Sequence, residues 1–89
     1  MVSRRIALVT GGSRGIGRAA ALRLATEGVA VVVNYNSNIA GAEETVSRIE
    51  FSGGRAIALR ADVSDMNAVE LMVSQAVDQL GSIDILVNN

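Results

Sequence analysis

The sequence predicts an α/β chain in which four strands alternate with three helices, βαβαβαβ, forming a parallel sheet of order 3-2-1-4, one half of a doubly wound fold. Three observations predict it. Short runs rich in Val, Ile and Leu start roughly 25 residues apart, close to the length of one right-handed crossover unit. Between them, apolar residues recur at spacings of three and four, the period of a helix with one buried face. The unusual glycine and polar segments all follow a strand, so this topology gathers them at the carboxyl ends of the sheet, where such folds bind ligands.

The first strand is Arg5 to Thr10, an apolar run ended by glycine, as expected of a strand buried on both faces. A helix follows from about Gly15 to Glu27, with Ile16, Ala20 and Leu24 on one face and Gly28 in the C′ position. Val29 to Val33 is β-branched and apolar and forms the second strand. Asn34-Tyr35-Asn36-Ser37-Asn38 reads as a loop, with Asn38 capping a second helix over Ile39 to Phe51 that halts at Gly53-Gly54. Strand three is Ala56 to Leu59. Ser64 is the expected cap of a third helix whose Met66, Val69, Val73, Val77 and Leu80 repeat at helical spacing up to Gly81. Ile83 to Val87 completes the sheet, and Asn88-Asn89 follow it.

With 89 residues there is room for one domain of narrow stability margin. A hydrophobic fraction of 49% and a charged fraction of 19% place it among globular chains. The eight arginines are dispersed, the net charge is −1 and Tyr35 and Phe51 are the only aromatics, which argues against nucleic acid as a partner. Neither His nor Cys occurs, so disulfides and the usual zinc ligands are ruled out and no metal site is expected. Arg4 and Arg5 precede an apolar run too short for a signal-peptide core, and no stretch approaches the ~20 apolar residues of a membrane span. The expected setting is cytoplasmic, with no membrane partner.

Chemistry concentrates in Thr10-Gly11-Gly12-Ser13-Arg14-Gly15-Ile16-Gly17. Glycines 11, 15 and 17 admit close backbone approach and positive φ, and the helix that follows offers unpaired N–H groups to an anion. Arg14 and Arg18 near that helix start oppose its macrodipole, a mild penalty that an anionic ligand reverses. At the end of the second strand stand Asn34, Tyr35, Asn36 and Ser37, neutral donors with no acid. An acid there would accept from a ribose 2′-hydroxyl and repel a 2′-phosphate, so this composition favours NADP(H) over NAD. Read without a ligand, the same residues are an ordinary Asn/Ser turn and Asp62 a turn acid ahead of a helix.

These residues resemble a known family. The pattern T-G-x-x-x-G-x-G at Thr10 to Gly17, Asp62-Val63, and Leu86-Val87-Asn88-Asn89 resemble, in order and spacing, the first part of the short-chain dehydrogenase/reductases, a Rossmann-fold family. The wording Ser-Arg-Gly-Ile-Gly and the polar end of strand two are most similar to 3-oxoacyl-[acyl-carrier-protein] reductases. The resemblance implies cofactor contacts from Gly11, Ser13, Arg14, Gly15, Ile16, Gly17, Asn36 and Ser37. It further implies an Asp62 carboxylate accepting from the adenine amine with the Val63 backbone beside it, and a ribose contact from Asn89. It implies hydride transfer between NADP(H) and a carbonyl or alcohol substrate in the complete protein, while the apolar edge of strand four leads us to expect a homo-oligomer.

The family's catalytic serine, tyrosine and lysine lie beyond its N-N-A-G motif, so no catalytic residue is assigned here. Tyr35 is not the catalytic tyrosine, because position 39 is Ile and the chain has no lysine. Residues 1–89 are therefore expected to be a cofactor-binding portion, inactive alone, that ends ahead of the catalytic segment. Two other classes stay open: a non-catalytic nucleotide-binding module, and a structural piece that self-associates through the apolar edge of strand four.

Overall fold

The computed structural model describes residues 5–89; Arg4 of the N-terminal pair lies outside them. The elements are β1 (Ile6–Val9), α1 (Gly15–Thr26), β2 (Ala30–Tyr35), α2 (Ile39–Phe51), β3 (Ala56–Arg60), α3 (Met66–Leu80) and β4 (Ile85–Val87). The strands pair in the order β3-β2-β1-β4, all parallel, as the sequence pattern predicts. Registers of Ile6 on Ala30, Ala7 on Ile85 and Val31 on Ala56 align the carboxyl ends of β1, β2 and β4 beside the glycine loop.

Alternating side chains of β2 divide between two cores. Val31 and Val33, with Val9, meet Ala21 of α1 and Ala42 and Ile49 of α2 on one face. Val32, with Ile6 and Leu8, meets Met72 and Ala76 of α3 on the other. Each valine buried this way contributes about 1.5–3 kcal/mol. Small Ala residues on the helices let them sit close to a sheet of β-branched side chains.

Most boundaries differ from the sequence reading by a residue or two, and three of the differences have a clear physical reason. β2 runs two residues past Val33, because Asn34 stays in the ladder with its side chain satisfied inside the protein. The cap of α3 is Asp65, whose carboxylate accepts from the amides of Asn67 and Ala68; Ser64 instead donates its amide and hydroxyl to Asp62. β4 begins at Ile85, since Asp84 brackets the start of β1, accepting from the Ile6 amide through its carboxylate at 2.9 Å and donating its own amide to the Ile6 carbonyl at 2.8 Å. Asn38 caps α2 as expected, accepting from the Gly41 amide. Gly28, at φ +82°, ends α1.

Candidate functional site

The glycine loop leaves β1 at Thr10 and turns into α1 through two left-handed positions, Gly11 at φ +61° and Gly15 at φ +59°. A side chain is strained at both. Gly17 serves another purpose: a Cβ there would overlap the Gly11 carbonyl, so its absence lets α1 lie against the loop. α2 approaches just as closely. A Cβ on Gly41 would come within 2.6 Å of the Ser13 carbonyl.

Buried polar groups fix this corner from behind. Asn34, only 2% exposed, accepts from the Gly11 amide through Oδ1 (3.2 Å) and from the Gly12 amide through its carbonyl (2.9 Å), while Nδ2 donates to the Ala61 carbonyl (3.1 Å). The fully buried Thr45 hydroxyl donates to the Gly12 carbonyl (2.8 Å). It also accepts from Arg18 Nε (2.9 Å), and Arg18 Nη2 reaches the carbonyls of Ser13 (2.7 Å) and Gly41 (3.0 Å). On the other side the Asn89 amide donates to Thr10 Oγ1 (2.9 Å) and Asn89 Nδ2 to the Gly11 carbonyl (3.3 Å). The carbonyls of Gly11, Gly12 and Ser13 are therefore each met by a side-chain donor. Among the described residues, the amides of Gly15, Ile16 and Gly17 donate to no protein acceptor, and Arg14, the N-cap, supplies no side-chain cap.

In front of those amides lies an open cleft of about 610 Å³ bounded by the loop, Tyr35 to Asn38 and Asn89. It brings together eight of the expected residues: Gly11, Ser13, Arg14, Gly15, Ile16, Asn36, Ser37 and Asn89. Gly17 stands behind them as a packing position, and Asp62 and Val63 lie outside the lining. Asp62 Oδ1 holds the turn before α3, accepting from the Ser64 amide (2.9 Å) and hydroxyl (2.6 Å). Those two bonds, with the nearby Arg60 charge, hold its carboxyl below the usual aspartate range. A larger hollow of about 760 Å³ lies between the C-terminal ends of α1 and α2, at the opposite end of the sheet from all these groups.

Two expectations about individual side chains need correction. Arg18 does not line the cleft, because its Nε and Nη2 donate into the corner behind it, to Thr45, Ser13 and Gly41. Asn34 is not a loop donor at the cleft but a buried clamp on the glycine loop. Sequence reading missed Thr45 and Gly41 altogether. The available signal was a lone Thr at the spacing of Ala42 and Ile49, a polar residue on the buried stripe of α2.

A parallel α/β sheet with a glycine loop feeding a helix N-terminus at its carboxyl edge defines the Rossmann-like class of doubly wound folds. Residues 5–89 match the family model for short chain dehydrogenase, and the chain belongs to that family. It is 50% identical over 88 residues to the short-chain dehydrogenase/reductase homolog YusS of Bacillus subtilis (strain 168), covering 99% of this chain and 81% of that protein. It is 47% identical over 89 residues to the 3-oxoacyl-[acyl-carrier-protein] reductase FabG of Staphylococcus aureus (strain Mu50), covering all of this chain and 36% of that one. A crystal structure of a dehydrogenase/reductase from Sinorhizobium meliloti 1021 superposes with a TM-score of 0.95 at 49% identity, covering 100% of this chain and 35% of that one. The chain thus spans about a third of the length of the latter two relatives. No helix among the described residues is long and apolar enough to cross a membrane, and no cluster of three or more acids there could hold a metal.

Proposed function

We propose that this chain is the cofactor-binding portion of an NADP(H)-dependent short-chain oxidoreductase, acting in the complete protein on a carbonyl or alcohol substrate of the 3-oxoacyl thioester kind. One observation carries the reading: among the described residues three consecutive amides at the start of α1 donate to no protein acceptor, while the carbonyls of Gly11, Gly12 and Ser13 each accept from a side chain. Such a cradle suits a pyrophosphate; a Cβ at Gly11 would crowd Asn89 at its rim, and one at Gly17 would displace the Gly11 carbonyl from behind. Arg14 adds a cation at the cleft, and Asn36 and Ser37 offer neutral donors with no carboxylate to repel a 2′-phosphate.

When bound, the nicotinamide supplies hydride transfer; the residues here bind and orient it. Asn89 and Gly11 fix the cleft floor nearest β4, and Asp62 retains Oδ2 for the adenine amine. General acid–base catalysis contributes roughly 10²–10⁴-fold in such sites, and no group in residues 1–89 is assigned that task, so the chain alone is expected to turn over negligibly. We expect it in the cytoplasm, self-associating through β4, whose Leu86 is 63% exposed.

A second reading, a nucleotide-binding module without catalysis, is favoured by the high coverage of YusS, a relative that is itself short. Both readings require binding, which fluorescence titration of NADPH measures directly. The chain is expected to bind, and Gly15→Val, forced into φ +59°, to bind at least about tenfold more weakly. Equal titrations for the two proteins would overturn the nucleotide reading. A complete protein that binds NADPH yet reduces no carbonyl would select the module.

A further inference from the structure

β2 and β3 part company at a defined place. Their last paired residues are Tyr35 and Arg60, and the Ala61 amide closes the ladder on the Tyr35 carbonyl at 2.9 Å. The next carbonyl along the chain, that of Asn36, accepts from no backbone donor among the described residues. It is taken by a side chain: Arg60 Nε donates to it at 2.8 Å, across 24 residues of sequence. A carbonyl on an exposed loop has water available, so this bond adds little to stability.

Its consequence is directional. The peptide between Asn36 and Ser37 is trans and planar, so a carbonyl drawn toward Arg60 sends the Ser37 N–H to the opposite side. Ser37 lines the cleft, and among the described residues its amide donates to no protein acceptor. On the far side the loop is held by the Ile39 amide on the Ser37 carbonyl (3.1 Å) and by the Asn38 cap. Arg60 thus holds one peptide plane of a loop that is otherwise anchored only from α2. Nε alone makes the bond, and among the described residues Nη1 and Nη2 donate to no protein acceptor, which keeps a positive charge beside the loop.

We propose that Arg60 is a positioning residue for selectivity between a ribose 2′-phosphate and a 2′-hydroxyl, setting the Asn36–Ser37 peptide so that the Ser37 amide and hydroxyl face the 2′ substituent. The proposal rests on the nucleotide reading above and adds a residue outside the cleft lining. A dianionic phosphomonoester gains more from an aimed amide than a hydroxyl does, so losing the aim falls mainly on phosphate.

Calorimetric titration of the whole chain with adenosine 2′,5′-bisphosphate and with adenosine 5′-monophosphate separates the two contributions. Arg60→Ala is expected to weaken the bisphosphate roughly tenfold while changing the monophosphate less than about twofold, with an unaltered melting temperature. Equal weakening of both ligands, or no weakening of either, would overturn the proposal and leave nucleotide binding standing. Failure of the unsubstituted chain to bind either ligand would overturn the nucleotide reading and this inference with it. Should Arg60→Ala not fold, Arg60→Lys carries the test: it keeps the charge but loses the fixed Nε–H, so the ratio falls if the directed bond matters and an unchanged ratio overturns the proposal.

Discussion

The corner where β1, α1, β2 and α2 meet and the layer formed by α3 and β4 follow different rules of construction. In the corner, backbone carbonyls of Gly11, Gly12, Ser13 and Gly41 are each met by a side-chain donor, and the strands behind are buried along their length. Among the described residues, Met66, Leu71, Val77 and Leu86 of the other layer stand exposed, as do Ile16, Ile39 and Phe51 of α1 and α2, and β4 pairs with β1 alone. Charge divides the same way. All eight arginines precede residue 61, whereas Asp62, Asp65, Glu70, Asp78 and Asp84 follow it with no cation among them. The glycine-loop corner is thus preorganised by its own side-chain donors, whereas the α3 and β4 layer carries acidic charge and a strand edge that pairs only with β1 among the described residues.

The sharpest way to break that contrast is Gly17→Val. Its side chain would occupy the space of the Gly11 carbonyl, and since α1 cannot move without losing Arg18, we expect a loss of at least about 3–4 kcal/mol, read by denaturant unfolding. Next is Thr45→Val, nearly isosteric, which strands the Gly12 carbonyl and Arg18 Nε in a buried site; about 1–3 kcal/mol is expected, with weaker NADPH binding as the loop relaxes.

Those two residues also mark what the sequence did and did not disclose. The strand order and the glycine loop were legible because each rests on a local pattern, β-branched runs and glycines where φ is positive, whereas the buried helix faces were not: Ile16 of α1 and Met66 and Val77 of α3 are exposed, while Ala21, Met72 and Ala76 are buried. Nor were the functions of Asn34 and Thr45, because they depend on partners 23 and 33 residues away. Asn34 has a turn former's local preference, overridden by a buried amide bonded to Gly11 and Ala61. Ser64 and Asp65 are both good caps, and the choice fell to Asp65 once Asp62 had captured Ser64. Arg18 read as a cation for a ligand because spacing does not reveal which arginine finds carbonyls first.

Smaller effects belong to the acidic layer. Leu86→Ser at the free edge of β4 is expected to change stability by less than about 0.5 kcal/mol yet to reduce concentration-dependent association in sedimentation; undiminished association would remove β4 as the contact. Smallest is Asp62→Ala. The Asp62 carboxyl is held below its ordinary value near 3.8 by Ser64, so its contribution is present above that value and lost as pH falls through the lower folded value. The gap in melting temperature between the two proteins should be small at neutral pH and close below pH 3.8, whereas a gap that widens in acid would contradict this account.

Whether the free amides of α1 receive the cofactor's pyrophosphate can be read from amide chemical shifts during a titration of the ¹⁵N-labelled chain with NADP⁺. Gly15, Ile16 and Gly17 are expected to show the largest saturable shifts, with Ser37 following and the amides of α3 unmoved. Saturable binding that leaves those three resonances in place, or shifts confined to the hollow between the C-terminal ends of α1 and α2, would contradict that placement.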